Sequence, residues 1–180
     1  MDRQPILDGE RLWLRPLRKS DWAAMYGIAA DPQVWALHPM QDRWQEPVFR
    51  AFFDEALASC GALAIIDKAS GAIIGSSRFD GYDPVGQGQV EIGWTFLARP
   101  YWGLGYNAEA KRLMLAHALP HVGRAIFRVG ADNVISRRAM GNIGGRLTPE
   151  ISVVEKAGRQ IEHVVYEITS ESFANGPLAQ

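Results

Sequence analysis

Length, composition and charge set the first limits on this chain. It has 180 residues, 47% of them hydrophobic, which is enough to close one core without disulfides or metals. Its 19 lysine and arginine residues are balanced by 20 aspartate and glutamate residues, so it lacks the positive charge that binding to a nucleic-acid backbone requires. We expect one domain over residues 1–180 and no nucleic-acid partner.

Cysteine usage and hydropathy indicate the expected cellular compartment. Cys60 is the only cysteine, which excludes an internal disulfide and a cysteine-rich metal site. The longest apolar run near the middle, residues 62–66, is far shorter than the roughly 20 residues of a membrane span. No signal-peptide pattern opens the sequence. We expect a cytoplasmic protein with neither a membrane contact nor a metal.

The first half of the chain shows strand and helix patterns in turn. Polar and apolar residues alternate at its start, Ser20 and Asp21 form a helix start signal, and two later β-rich runs are joined by a turn containing Gly71. The predicted elements are a strand over residues 11–17, a helix that ends before Pro32, a loop over 35–44, a second helix that starts at Glu46, and an antiparallel pair of strands over 62–67 and 72–79.

The second half continues the alternation after a turn-rich loop over residues 81–88. Pro120 ends one helical pattern and Gly144 with Gly145 ends another. The predicted elements are a strand over 89–97, a helix over 107–119, a strand over 124–129, a helix over 136–142 and a strand over 161–168. The order βααβββαβαβ predicts an α+β fold around one mostly antiparallel sheet.

The segment over residues 99–109 places a glycine-bearing turn between a strand and a helix. Gly103 and Gly105 permit close backbone approach, and the first N–H groups of the following helix are unpaired, so a pyrophosphate fits there. The alternative is that the glycines are present only because the backbone geometry of the turn needs them. Known nucleotide loops do not match, because the chain lacks the P-loop lysine pattern and has Ala108 in place of the third glycine of Gly-x-Gly-x-x-Gly.

Three runs of residues carry a family resemblance. They are Tyr101-Trp102-Gly103-Leu104-Gly105-Tyr106-Asn107, its continuation through Glu109-Ala110-Lys111 and Leu113-Met114-Leu115, and Asn133-Val134-Ile135-Ser136. The first two are similar to the acetyl-coenzyme A loop and helix of the GNAT superfamily, particularly its RimJ/RimL-like ribosomal-protein N-terminal acetyltransferases. The third resembles that family's Asn-x-x-Ser helix. The chain departs from the common pattern at Trp102, where an Arg or Gln is usual, and at Asn107.

The resemblance implies a fold, a reaction and a donor site. The fold is of the GNAT type, with helices on both faces of a mixed, mostly antiparallel sheet. The reaction is transfer of an acetyl group from acetyl-coenzyme A to a primary amine by direct attack in a ternary complex. The loop backbone is expected to hold the pyrophosphate and the preceding strand the pantetheine arm. The implied donor-binding residues are Trp94, Thr95, Phe96, Leu97, Trp102, Gly103, Leu104, Gly105, Tyr106, Asn107, Asn133 and Ser136.

Two residues are candidates for the chemistry. Glu91 lies between apolar neighbours on the strand that leads to the loop, and strand alternation places it on one face with Gly93 and Thr95. We expect it to accept the amine proton, and the alternative is a solvated carboxylate on the sheet. Ser136 resembles the family serine that donates to the leaving thiolate, and the alternative is a helix-capping role.

The acceptor side is less well defined. Residues in or near loops that are candidates for an acceptor pocket are Trp35, His38, Trp44 and Tyr82, with packing as the alternative. We expect Lys111 and Arg112 to lie on a solvated helix face, and the alternative is contact with a coenzyme A phosphate. We expect the acceptor to be a small amine or a protein N-terminus. The sequence leaves open whether the protein forms a homodimer. A non-catalytic acyl-coenzyme A sensor on the same fold is the alternative function.

Overall fold

The chain alternates strands and helices along one mixed sheet. The computed structural model describes residues 1–156 and 158–179. The strands are β1 Leu7–Asp8, β2 Leu12–Pro16, β3 Ala62–Asp67, β4 Ile73–Asp83, β5 Gln89–Leu97, β6 Arg124–Gly130, β7 Arg146–Lys156 and β8 Arg159–Thr169. The α-helices are α1 Trp22–Ala29, α2 Glu46–Ala58, α3 Tyr106–Ala118, α4 Val134–Asn142 and α5 Ser170–Ala174.

The strand order is β1-β2-β3-β4-β5-β6-β8-β7, and one junction in it differs from the others. Every neighbouring pair is antiparallel except β5 and β6, which run parallel. Their pairing ends where Glu91 meets Ile126. Beyond that point neither strand pairs with the other, so backbone N–H and C=O groups of both strands face a gap. We call this feature the strand gap, and Glu91 stands at its apex.

Helices cover both faces of the sheet, as the resemblance implies. On one side, the α3 face, a buried cluster includes Leu14, Ile65, Ile92, Met114 and Phe127. On the other side, the α1–α2 face, a second cluster includes Met25, Phe49, Phe53, Ala64 and Phe96. Each such side chain contributes about 1.5–3 kcal/mol through burial, so the two clusters hold the sheet rigidly between the helices.

A β-bulge in β5 reverses the side-chain alternation next to the strand gap. Ser76 pairs with Phe96 and Arg78 pairs with Gly93, so two residues of β5 oppose one residue of β4. Trp94 absorbs the extra length with a φ of +52°. Thr95 therefore turns to the α3 face, away from Glu91. The prediction that Glu91 and Thr95 share a face was wrong, because simple alternation assumes a strand without a bulge.

Most of the predicted elements are present, and the main omission is β7. This strand contains Pro149, and its pairing with β8 shifts register between Leu147 and Ile151. It is also the last strand of the sheet. Proline is tolerated on an edge strand, where an N–H facing outward needs no partner, so the structure has a strand where the sequence analysis assigned no element. β4 likewise extends to Asp83, into the loop predicted over residues 81–88.

Candidate active site

The loop before α3 exposes a set of unpaired backbone N–H groups. Gly105 is the N-cap of α3, with a φ of +83° and no side-chain cap. The first bond to the helix start is from the Glu109 N–H to the Gly105 carbonyl, at 3.0 Å. The N–H groups of the cap and of the three residues after it therefore have no partner within the helix. Together with the positive end of the helix dipole, these N–H groups are suited to hold an anionic group.

Arg11 brings a positive charge to this loop from the start of β2. Its Nη1 donates to the Leu104 carbonyl at 2.7 Å, its Nε pairs with Glu109 at 3.0 Å, and its guanidinium lies 4.7 Å from the Tyr106 ring. An added Cβ at Gly105 would lie 3.0 Å from Arg11 Nη2. Sequence reasoning missed this residue because Leu104 is 93 positions away from it. Arg11 supplies a charge near the loop, where Trp102 replaces the usual Arg or Gln.

Trp102 has a different task, which is to fasten the loop to β5. Its indole Nε1 donates to the Leu97 carbonyl at 2.8 Å, and the ring is 42% exposed. Between this anchor and the apex, β5 presents backbone to the strand gap, while its side chains point to the two sheet faces. Phe96 and Leu97 are buried on opposite faces. The predicted pantetheine-binding residues thus offer backbone rather than side chains.

Lys111 lies under the bulge and not on a solvated helix face. It is 5% exposed, and its Nζ donates to Ser77 Oγ at 3.1 Å and to Thr95 Oγ1 at 2.5 Å. The two hydroxyls also contact each other at 2.8 Å. Burial lowers the pKa of Lys111 to about 7. The expectation of a solvated lysine was therefore wrong, and the residue connects α3 to the bulged part of β5.

Glu91 lies on the α1–α2 face at the apex of the strand gap. It is 7% exposed and forms an ion pair across the gap with Arg128 of β6. Burial raises the pKa of Glu91 above its ordinary value, and Arg128 opposes that rise without cancelling it. The nearby Asp80, its partner on β4, raises the pKa further. A buried carboxylate with a raised pKa is suited to exchange a proton near neutral pH.

Two buried arginines accompany Glu91 on the same face. The Arg78 guanidinium lies 4.5 Å from the Trp94 ring, and its Nη1 is 3.8 Å from Asp80. The Arg43 guanidinium lies 4.3 Å from the Phe52 ring. Burial lowers the pKa of Arg43 to about 10, so it remains charged at neutral pH. Neither arginine was a sequence candidate, because an isolated arginine in a loop or strand normally indicates a solvated side chain.

Residues 11–146 match the acetyltransferase (GNAT) domain family, which is most of the chain. The chain belongs to the GNAT acetyltransferase family. YnaD of Bacillus subtilis strain 168, described as an uncharacterized N-acetyltransferase, is 28% identical over 140 residues, or 76% of this chain and 80% of YnaD. The family match over residues 11–146 includes Glu91, the strand gap and the loop before α3, which we call the donor loop. This GNAT protein is an acyltransferase by family.

Two solved GNAT structures show the same fold. A GCN5-related N-acetyltransferase from Brucella melitensis has a TM-score of 0.77 at 21% identity, covering 94% of this chain and 80% of that protein. RimJ of Mycobacterium smegmatis, solved in complex with CoA-disulfide, has a TM-score of 0.75 at 19% identity, covering 97% and 92%. The second agrees with the RimJ/RimL-like resemblance at the level of the fold.

The GNAT fold separates the four aromatic and histidine residues that were candidates for the acceptor pocket. Trp35 is 2% exposed in the α1–α2 cluster, with its indole N–H donated to the Ala29 carbonyl at 2.8 Å, so it is a packing residue. Tyr82 packs against the α3 cluster on the opposite face. His38 accepts from the Met40 N–H at 2.9 Å, and Trp44 is exposed. Only His38 and Trp44 remain candidates for contact with an acceptor.

The loop that carries His38 reaches across to β6. An added Cβ at Gly130 would lie 2.6 Å from Pro39 Cγ, so the loop tip rests against the end of that strand. His38 Nε2 also lies 3.1 Å from Arg43 Nη1. The loop over residues 35–44 therefore covers the α1–α2 side of the strand gap, where the acceptor of this GNAT protein is expected.

Asn133 and Ser136 begin α4 directly after β6. Asn133 is the N-cap, and its Oδ1 accepts the Ser136 N–H at 3.0 Å. The Ser136 hydroxyl makes no hydrogen bond within residues 1–156 and 158–179. The capping role thus belongs to Asn133, and the hydroxyl is available. Within the same residues, no three His, Cys, Asp or Glu side chains gather as metal ligands, and no helix is long and apolar enough to cross a membrane.

Proposed function

We propose that this GNAT domain is an N-acetyltransferase that transfers the acetyl group of acetyl-coenzyme A to a primary amine by direct attack in a ternary complex. The amine belongs to a small molecule or to a protein N-terminus. The proposal depends on one observation above all. Glu91 stands where paired strands give way to the strand gap, with the donor loop beyond the gap and the acceptor face beside it.

The residues present fit the donor. Free N–H groups at the start of α3 suit the pyrophosphate, and the unpaired edge of β5 from Trp94 to Leu97 suits the amide groups of the pantetheine arm. Asn133 contributes at the far side of the gap as the N-cap of α4. Acetyl-coenzyme A supplies an activated thioester whose carbonyl a neutral amine attacks.

Glu91 is assigned the removal of the amine proton, and Ser136 is assigned the stabilisation of the departing thiolate. The amine arrives protonated at neutral pH, and Glu91 accepts its proton directly or through water. An α-amine, with an ordinary pKa of about 7.7–8.0, needs less help than a lysine amine at about 10.4. Ser136 donates a hydrogen bond to the departing thiolate. These assignments are supported by the burial of Glu91 and by the available hydroxyl of Ser136.

The test follows thiol release from acetyl-coenzyme A with an amine panel that includes N-terminal peptides. We expect amine-dependent release, and a drop of about 100-fold in kcat for Glu91→Gln, which is typical of a lost general base. Glu150→Gln is the matched control, because Glu150 also pairs with an arginine of β6, Arg124, but lies outside the gap. Donor binding without release for every amine would overturn the proposal.

The assignment of one domain to residues 1–180 remains a proposal. It is supported by the single eight-stranded sheet, which β7 and β8 complete beyond residue 146. Limited proteolysis should leave one protected fragment, and two separately stable fragments would contradict it.

A further inference from the structure

One edge of the Arg78 guanidinium lies buried without a partner. The Arg78 side chain is 6% exposed, and neither Nε nor Nη2 has a hydrogen-bond partner among residues 1–156 and 158–179. The remaining nitrogen, Nη1, makes a long contact of 3.8 Å with Asp80. A buried charged donor without an acceptor is unfavourable and rare in folded proteins, so it requires an explanation.

The free nitrogens have a geometry that selects the missing partner. Nε and Nη2 lie along one edge of the planar guanidinium group. This pair can bind a carboxylate through two parallel hydrogen bonds. The Trp94 ring, 4.5 Å from the guanidinium, limits its rotation. A carboxylate accepts one hydrogen bond from each donor and also compensates the buried positive charge, whereas a neutral ligand leaves that charge uncompensated. The chemistry of this edge therefore matches a planar anion.

Arg78 and Glu91 flank the same glycine. Arg78 pairs across the strands with Gly93, which has no side chain to separate the two groups. The Glu91 carboxylate leans over this glycine, since an added Cβ there would lie 3.4 Å from Glu91 Oε1. Arg78 and Glu91 are diagonal neighbours on the two paired strands, and such positions lie about 7–8 Å apart. A proton acceptor and a free carboxylate-binding edge thus stand within the span of one small molecule.

The charges around this position do not supply the partner. Glu91 forms its ion pair with Arg128, and Asp80 lies 3.7 Å from Arg3 on its other oxygen. Arg43 adds a second buried positive charge on the same face, and both arginines approach the Phe52 ring. Glu55 also acts electrostatically on Arg78, but among the described residues no acidic side chain hydrogen-bonds to the Nε and Nη2 edge.

We propose that the acceptor is an amine of amino-acid size that carries a carboxylate, with the carboxylate held by Arg78 and the amine beside Glu91. This inference rests on the proposed acetyltransferase function and narrows its substrate class. Because the Arg78 edge is closed to solvent, binding requires a movement of the side chains that pack against it, among them the Trp94 and Phe52 rings. Polyamines and aminoglycosides, which lack a carboxylate, are then poor acceptors.

The first experiment compares amino acids with their amides, for example alanine with alaninamide and β-alanine with β-alaninamide. We expect wild type to favour the acids by about tenfold or more in kcat/KM for at least one pair, as for a charge-assisted bidentate contact. An amide also changes the basicity of the amine. The deciding quantity is therefore the change in the acid-to-amide ratio between wild type and Arg78→Met, which should bring the ratio down about tenfold.

Arg50→Met is the matched control. Arg50 also stacks on an aromatic ring, with its guanidinium 3.2 Å from the Trp22 ring, but it lies exposed on α2. This variant should keep the wild-type acid-to-amide ratio. Arg78→Lys keeps the positive charge but loses the pair of parallel donors. We expect it to retain only part of the preference for acid over amide. An unchanged ratio in Arg78→Met would overturn the inference.

Thermal unfolding separates a binding role from a structural one. Removing an unpaired buried charge usually stabilises a protein, so Arg78→Met should have an equal or higher Tm than wild type. A purely structural arginine would give a lower Tm together with an unchanged acid preference, and that result would contradict us. If no amine promotes thiol release, the proposed function fails. The Kd of amino acid against amide, measured calorimetrically with coenzyme A present, still tests the anion site, and equal affinities would refute it.

Discussion

The buried Lys111 gives a prediction that depends only on the fold. Its pKa falls from an ordinary 10.5 to about 7. Between these values the unfolded chain holds the Lys111 proton and the folded chain does not, so stability rises with pH by about 1.4 kcal/mol per unit. Lys111→Met removes this dependence. Its free energy of unfolding minus that of wild type should therefore fall by about 2 kcal/mol between pH 7.5 and pH 9.

Methionine suits the site because it preserves the length of the apolar stem, and Ser77 and Thr95 keep each other as hydrogen-bond partners at 2.8 Å. Urea unfolding followed by tryptophan fluorescence at three pH values gives the difference directly, since all other groups titrate in both proteins and cancel. The exposed Lys19→Met is the control and should show no trend with pH. Parallel stability curves for wild type and Lys111→Met would refute the burial argument.

Two further predictions concern the donor site. Gly105→Ala places a Cβ at a φ of +83° and 3.0 Å from Arg11, so we expect about 1 kcal/mol lower stability and about tenfold weaker coenzyme A binding by calorimetry. Gly86→Ala is the control, because Gly86 has a φ of +66° in the turn at the other end of β5, and it should lose only stability. Ser136→Ala should lower kcat about tenfold or more and leave Tm unchanged. Asn133→Ala should lower stability by about 1 kcal/mol, because the helix loses its cap. A lower Tm for Ser136→Ala would show that its hydroxyl is structural.

The elements that could be predicted are those with strong local patterns. The strand Ala62–Asp67 and the strand Gln89–Leu97 agree with their predicted bounds because β-rich runs end at clear turn residues. The GNAT family was also identified correctly, since the loop from Tyr101 to Asn107 is a contiguous motif. β7 was missed because its Pro149 and broken register hide an edge strand whose pairing is set by β8.

The side chains of the site were harder to predict, because most of them meet only after folding. Glu91 was proposed from its place on the strand, yet its partner Arg128 is 37 positions away and its companion Arg78 lies on another strand. Trp35 suggested a binding aromatic, but its burial among Phe49, Phe52 and Phe96 makes it part of the core. No local pattern distinguishes a buried arginine or tryptophan from an exposed one.

The bulge at Trp94 links the residues on the two faces of the sheet beside Glu91. On the α3 face, Lys111 bonds to Thr95 and Ser77 and so supports the altered backbone from below. On the opposite face, the extra residue lets Trp94 project beside Arg78, next to the space over Gly93. If this connection is correct, Lys111→Met should stabilise the protein near neutral pH and still reduce acid-over-amide selectivity, since the support of the bulge would be weakened without any change at Arg78. Unchanged selectivity in that variant would show that the bulge is held by the strand pairing alone.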